Sequence, residues 1–353
     1  MIAAILITGC GNPSRKFTGP VKSFHEIKYS QLFGIAHFEA YDQLFYLDGG
    51  DTLWSLKSTE LPKGMPRVAV TSSVFAGFIE ALGLQESIVG VDNDKYFNDP
   101  VMLERIGKGQ VGIIGEEGQM QTEKLVTLRP DVLIASSHGF NNTTLKNRLK
   151  QVNVHVLMCD NFKEQHPLAR AEWIKVFGFI YGRPVQADSL FSMVEKNYLQ
   201  IRDSAKFIRQ KPLVMTEAMY SEVWSIPGGS SYTARLIEDA GGTYIFSNRK
   251  GLHTYPLNLE SVLKESGDAD IWIHVNQFKS KDRMLKANPR YALFKPFRDN
   301  RVYNNNKREN AYGGNDFWET GAFRADLVLR DLVTIFSGQK ISEDKLYFYT
   351  LVD

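Results

Sequence analysis

The sequence predicts an α/β chain in which two α/β lobes flank one long helix, behind a small antiparallel β segment. Three observations predict it. Strand and helix patterns alternate twice, from about residue 67 and again from about residue 211. Between these runs, residues 167–210 carry helical patterns only. Finally, Glu123–Ala135, "EKLVTLRPDVLIA", is echoed about 137 positions later by Glu260–Ile273, "ESVLKESGDADIWI". Each copy opens a short helical run on a glutamate, then reaches an aspartate (Asp131, Asp270) followed by a hydrophobic strand. The echo reads as a duplicated lobe.

Length and composition permit this. A chain of 353 residues is long enough for two domains, since a domain typically takes about 100–200 residues. The 43% hydrophobic and 23% charged content is that of an ordinary globular protein. A net charge of +2 gives no strong field for nucleic acid or an anionic membrane surface. The 15 Tyr and 5 Trp suit a protein that binds something large and flat, although most aromatics are core.

The N-terminus reads "MIAAILITGCGNPS". Its apolar run is too short to span a bilayer and ends in small residues, as a secretory signal does. Cys10 directly after Thr8-Gly9 resembles a lipobox, in which that cysteine is lipidated. Residues 1–10 are therefore expected to be a lipoprotein signal segment, with a lipid anchor on a bacterial membrane facing the periplasm. The competing reading is an ordinary apolar terminus with a chance cysteine. Residues 11–66 are expected to be a tether and a small β segment. Glu26–Leu56 is aromatic-rich and roughly alternating, with Asp48-Gly49-Gly50-Asp51 as a turn signal, so two to four antiparallel strands are predicted.

Residues 67–166 form the expected N-terminal lobe. A strand ends at Val70, Thr71-Ser72-Ser73 can cap a helix, and Gly83 can close it. A second helix starts near Thr122 and stops at Pro130 before a strand, and "NNTTLKNRLKQVNVHVLMCD" adds another helix and strand. Cys159, alone in the last of these, reads as a small buried hydrophobe. Within residues 167–210, Pro184 opens a helix whose apolar positions Leu190, Met193, Val194, Tyr198 and Ile201 recur at a spacing of three to four. It should run about 24 residues, or about 36 Å. Residues 211–353 restart the alternation and form the expected C-terminal lobe.

The blocks "PRVAVTSSVFAGFIEALGL", "VGIIGEEGQMQTEKLVTLRPDVLIA", "SSYTARLIEDAGGTYIF" and "LNLESVLKESGDADIWI" together resemble the class III substrate-binding proteins of ABC importers, over about Arg67–Gly338. Members of that family carry iron–siderophores, haem and cobalamin. The lead-in before Pro66, with the endings "NDFWETG" and "KLYFYTLV", resembles lipoprotein members from Bacteroidetes-like bacteria. The resemblance implies two Rossmann-like lobes joined by a long rigid helix, the helical-backbone metal-receptor type. It implies no enzymatic activity and no catalytic cofactor. It implies a monomer that delivers a metal chelate to a permease dimer with its ATPase. In this family one surface glutamate on each lobe pairs with permease arginines, and the matching positions are Glu123 and Glu260. First-turn glutamates favoured by the helix dipole would give the same pattern.

In such an architecture the ligand lies between the lobes, at loops after the C-terminal ends of strands. The first lobe then offers Thr71, Ser72, Ser73, Tyr96, Phe97, His138, Gly139 and Phe140. The second offers Tyr220, Trp224, Tyr232, Asn276, Phe278, Arg308, Tyr312, Asn315 and Trp318. Tyr96, Trp224 and Tyr312 stand out as flat walls for a porphyrin, corrin or aryl chelate. Core packing competes for every aromatic named. Lys307-Arg308 or Arg249-Lys250 would suit an anionic siderophore. His138, and beyond it His253, are candidate axial ligands, although a lone loop histidine is a weak metal signal. Gly228-Gly229 before a Ser-capped helix would either cradle an anion or serve helix entry alone.

Rival readings remain. One is a same-fold binder of bare zinc or manganese, disfavoured because no four-ligand set forms among the cleft loops. Another is a surface lipoprotein hydrolase using Ser72, Ser230 or Ser231 with His138 or His253. Gly-x-Ser-x-Gly, His-Glu-x-x-His, a phosphate loop and paired-cysteine spacings are all absent from the sequence. A receptor module without transport is the third.

Overall fold

The structure, a computed structural model, describes residues 20–48, 51–116, 119–137, 143–338 and 343–353. Cys10, His138, Gly139 and Phe140 lie outside the described residues.

Two five-stranded sheets form the lobes. In the first, the strands Val68–Val70, Ile88–Val91, Gly112–Ile113, Val132–Ala135 and His155–Met158 are all parallel. In the second, Leu213–Thr216, Thr243–Tyr244, Ile271–Ile273 and Val302–Asn304 are parallel, and Thr350–Leu351 closes the edge antiparallel. The central strands are continuous apolar runs, as burial on both faces requires. Each sheet grows outward from its first strand and then reverses across it. In the first sheet Val68–Val70 lies between Ile88–Val91 and Val132–Ala135; in the second Leu213–Thr216 lies between Thr243–Tyr244 and Ile271–Ile273. Such reversals open a crevice at the carboxyl ends of the two strands that flank them.

The echoed aspartates have a structural meaning. Asp131 donates its N–H to Arg67 O (2.8 Å) and accepts the Arg67 N–H on its carboxylate (2.7 Å). Asp270 makes the same pair with Leu213, at 2.8 Å and 2.9 Å. Each acid clasps the start of its lobe's first strand to the strand it precedes.

Between the sheets, Pro167–Glu172 and Ile174–Ile180 lead into the spine helix Pro184–Ala205. Its 22 residues extend about 33 Å. The buried stripe is Ala187, Phe191, Val194, Tyr198 and Ala205. Met193, which the periodicity counts as apolar face, is exposed, because the stripe is centred one position further round. The spine packs on Ile174–Ile180 and on Ala325–Phe336, and Tyr198 Oη donates to Asp239 of the second lobe at 2.8 Å. The lobes also touch directly. The short helix Asp316–Glu319 crosses Gly77 so closely that a Cβ there would stand 2.1 Å from Glu319 O. The Glu319 carboxylate accepts the backbone and side-chain N–H of Asn98 at 2.7 and 2.9 Å.

The N-terminal segment is a four-stranded antiparallel sheet, Ser23–Phe24, Phe33–His37, Asp42–Asp48 and Asp51–Lys57, in chain order. It docks on the linking helices through a fully buried acid. The Glu172 carboxylate accepts the N–H groups of Lys28, Tyr29 and Ser30 at 2.8, 2.8 and 2.9 Å, with Lys175 Nζ at 3.3 Å. Phe33 packs edge-on against Trp173 beside it.

Candidate functional site

The two crevices face a common cleft. A cavity of 900 Å³ adjoins one of 380 Å³, and both are lined by Phe162, Arg170, Tyr232, Phe317 and Trp318. From the first sheet's switch point come Ser72 and Ser136. From the second come Glu217, His274 and Asn276. The N-terminal sheet closes one side with Leu32 and Asp48.

Arg170 is the organised cation of this cleft. Its guanidinium lies 3.7 Å from the Tyr232 ring centre, donating to Phe162 O (2.8 Å) and Glu164 O (3.2 Å). Burial lowers its pKa, but arginine stays charged, and among the described residues it forms no ion pair. Flat faces stand around it: Tyr232, exposed Phe162, and Trp318 with about half its surface open. Burial pushes the Glu217 carboxyl up to about 7. Burial pushes His274 down to about 4, so it is neutral at physiological pH, with Nε2 2.6 Å from Tyr349 Oη.

The aromatics named from sequence scatter. Tyr232, Trp318, Asn276 and Asn315 line the large cavity, as does His253. Ser72 lines the smaller one. Tyr220 lines only a 330 Å³ side pocket. Trp224 is fully buried, stacked on Trp272 at 5.5 Å and donating its indole N–H to Thr216 O; it is core, not a wall. Phe97 and Phe278 are core too. Tyr96 and Tyr312 are exposed away from the cavity. Asn310 ties their loops together by donating to Lys95 O and Phe97 O, which makes that region an inter-lobe contact. Arg308 is committed to Asp316 and to the Tyr347 ring.

The anion cradle at Gly228-Gly229 is not available. The N–H groups of Gly228, Gly229 and Ser230 donate to His253 O, Arg249 O and Gly251 O. A Cβ at either glycine would stand within 2.3 Å of a carbonyl oxygen there. The glycines serve close backbone approach. Ser72 and Ser231 cap helices, accepting from Val74 N and Ala234 N, which is not the environment of an activated nucleophile. Cys159 is buried, as its strand context implies.

Phe162, Arg170, Glu217 and His274 are among the cleft residues that the sequence reading misses. Glu217 and His274 directly follow strands, so the strand-end rule that selects Tyr220 and Asn276 would have reached them. Arg170 stands in a stretch read only as linker, and Phe162 just before it; neither carries a local signal.

Glu123 and Glu260 both lie exposed in first turns, of Thr122–Thr127 and Leu259–Ser266. Glu260 pairs with exposed Arg290, whose hydrogen bond holds its carboxyl below the usual range. Among the described residues no three His, Cys, Asp or Glu side chains converge as ion ligands, and no helix is long and apolar enough to cross a membrane.

A family model described as "Periplasmic binding protein" matches residues 68–308. An uncharacterised lipoprotein of Methanocaldococcus jannaschii is 24% identical over 296 residues, covering 81% of this chain and 68% of that one. An uncharacterised ABC transporter substrate-binding lipoprotein of Bacillus subtilis is 25% identical over 211 residues, covering 59% and 57%. Among solved structures, a periplasmic haem-binding protein from Pseudomonas aeruginosa superposes with a TM-score of 0.60 at 17% identity, covering 82% of this chain and 98% of that one; at that identity the likeness concerns the fold.

Proposed function

The chain belongs to the periplasmic binding protein family, and from that premise we propose that it captures a metal chelate between its lobes and delivers it to an ABC importer. Proteins of this kind bind and hand over their solute; the chain is not an enzyme. The cargo class is a ferric siderophore, cobalamin or haem. One observation carries the reading: the cleft between the two switch points combines flat aromatic faces with Arg170, which lies over the Tyr232 ring and forms no ion pair among the described residues. A volume of 900 Å³ is at the upper end of small-molecule sites, about 300–1,000 Å³. A chelated metal needs no protein ligand, so a chelate can be held by such a cleft without a metal-ligand cluster.

Relatives named as lipoproteins support lipidation at Cys10 and a periplasmic location. Exposed Glu123 and Glu260, one per lobe at matched helix starts, are the proposed docking points for a permease dimer and its ATPase, where charge would set register and encounter rate. The spine helix favours a small rocking of the lobes on ligand binding. The working unit is a monomer.

The test is tryptophan-fluorescence quenching of the form lacking residues 1–10. The panel holds cyanocobalamin, haemin, ferric catecholate, ferric hydroxamate, and zinc and manganese salts. Saturable quenching by one chelate at sub-micromolar concentration is expected. The reporter is half-exposed Trp318 rather than buried Trp224. A response to the bare metal salts alone would overturn the reading.

A further inference from the structure

Glu217, His274 and Asn276 follow the two strands that flank the second sheet's switch point. All three hold left-handed backbone, with φ of 68°, 58° and 52°. None is glycine, so each conformation costs free energy and persists only where its surroundings over-determine it. Here they do. Trp272 Nε1 donates to Glu217 O (2.6 Å), and Glu217 N donates to Ile273 O (3.2 Å). Asn304 Nδ2 donates to Asn276 O (2.9 Å), and His274 N to Tyr303 O (3.1 Å).

What this strain positions is a pair of acceptors. Glu217 and Asn276 line both the large cavity and the 330 Å³ pocket beside it. The Glu217 side chain receives one long hydrogen bond, from Thr216 Oγ1 at 3.4 Å, and no ion pair among the described residues. Asn276 donates one Nδ2 hydrogen to Ala218 O at 2.8 Å, which orients the amide and leaves its oxygen and one N–H for a ligand. Arg170, by contrast, offers donors only. The cleft therefore presents two chemically opposed anchors.

We propose that Glu217 and Asn276 form a second ligand anchor that takes a hydrogen-bond-donating arm of the chelate, a carboxamide or an ammonium group, into the side pocket. A carboxylate arm is disfavoured there by like charge wherever Glu217 is ionised. The inference rests on the chelate-binding reading above and narrows it to chelates with donor arms.

The experiment is equilibrium binding to the full-length chain and to E217M, E217Q and N276A, with folding checked by near-UV circular dichroism. Paired probes differ in one arm: cyanocobalamin against its monocarboxylate, and ferrioxamine B against the analogue with a methyl group in place of its ammonium. Haemin serves as a carboxylate-armed reference. Wild type should prefer the donor-armed member of one pair by about tenfold or more, and that pair identifies whether amide or ammonium is the source. E217M should erase the preference, while E217Q erases it for the ammonium pair only. If E217M does not fold, E217Q decides on the ammonium pair and N276A on the amide pair. A chelate that binds without discrimination within its pair, or a variant that weakens both members equally, overturns the anchor and leaves chelate binding standing. Tighter binding of haemin than of either donor-armed probe does the same. No binding of any probe overturns both.

Discussion

Arg170 and Tyr232 meet across the lobe boundary: the guanidinium carbon of the linking segment lies over the ring of the second lobe, 3.7 Å from its centre. The ring face holds the cation from one side while two backbone carbonyls accept its N–H groups. Replacing Arg170 with alanine should weaken chelate binding roughly tenfold or more, the usual worth of a charge-assisted contact. Lysine should not restore it, because an ammonium lacks the planar fork and the stack. Titration of R170A and R170K by fluorescence quenching checks this; full rescue by lysine would mean that charge alone matters.

Glu172 predicts the integrity of the N-terminal sheet. Its buried carboxylate gathers three consecutive backbone N–H groups and Lys175. Glu172→Ala leaves those three buried donors unsatisfied and reduces the partners of Lys175 to Glu26 O (2.7 Å) and Asp188 (3.5 Å), a loss on the order of 3 kcal/mol. Urea denaturation should register it, and limited proteolysis should release fragments ending before the strand Val68–Val70. Because Leu32 and Asp48 border the cleft, ligand affinity should fall with it. Unchanged proteolysis would refute this docking role.

His274 predicts acid sensitivity. Its folded pKa, about 4, lies below the ordinary 6.5 because burial penalises the charged ring. Below pH 6.5 the unfolded chain takes up a proton that the folded chain refuses, so stability is lost as pH falls from 6.5 towards 4. The loss is on the order of 3 kcal/mol. Glu217, raised by burial to about 7, works in the other sense, costing stability as pH rises from its ordinary 4.5. The difference between wild type and H274Q in urea denaturation at several pH values isolates the histidine. A difference that does not change with pH would sink the assignment.

The docking role proposed for the paired glutamates predicts that binding and delivery separate. A Glu123→Ala, Glu260→Ala double variant should keep its chelate affinity and lose uptake in cells that express the importer. Equal loss of both would show that neither residue is a docking point.

Much of this protein is legible along the chain. The alternation of strand and helix, the helical stretch between the lobes, and the Glu–Asp echo are local patterns. Local patterns follow from side-chain periods of two and 3.6 residues, which the backbone imposes wherever the segment sits. The meaning of the repeated aspartate was also within reach, because an acid before a parallel strand has few backbone partners. The cleft was harder. Trp224 and Trp318 both stand in stretches that the sequence presents as loops after strands, and nothing nearby in the sequence separates them. One is stacked in the core and the other half-exposed in the cleft.

By itself, then, the sequence determined two α/β lobes on a helical spine, with candidate loops at strand ends. Only the tertiary structure decided which of those loops line the cleft. Sheet order brings residues after Leu213–Thr216 and Ile271–Ile273 to one crevice, the approach of the lobes sets Arg170 of the linker on Tyr232, and the N-terminal sheet closes a side. These are contacts between residues far apart in the chain. They depend on how lobes pack, and no local period encodes that.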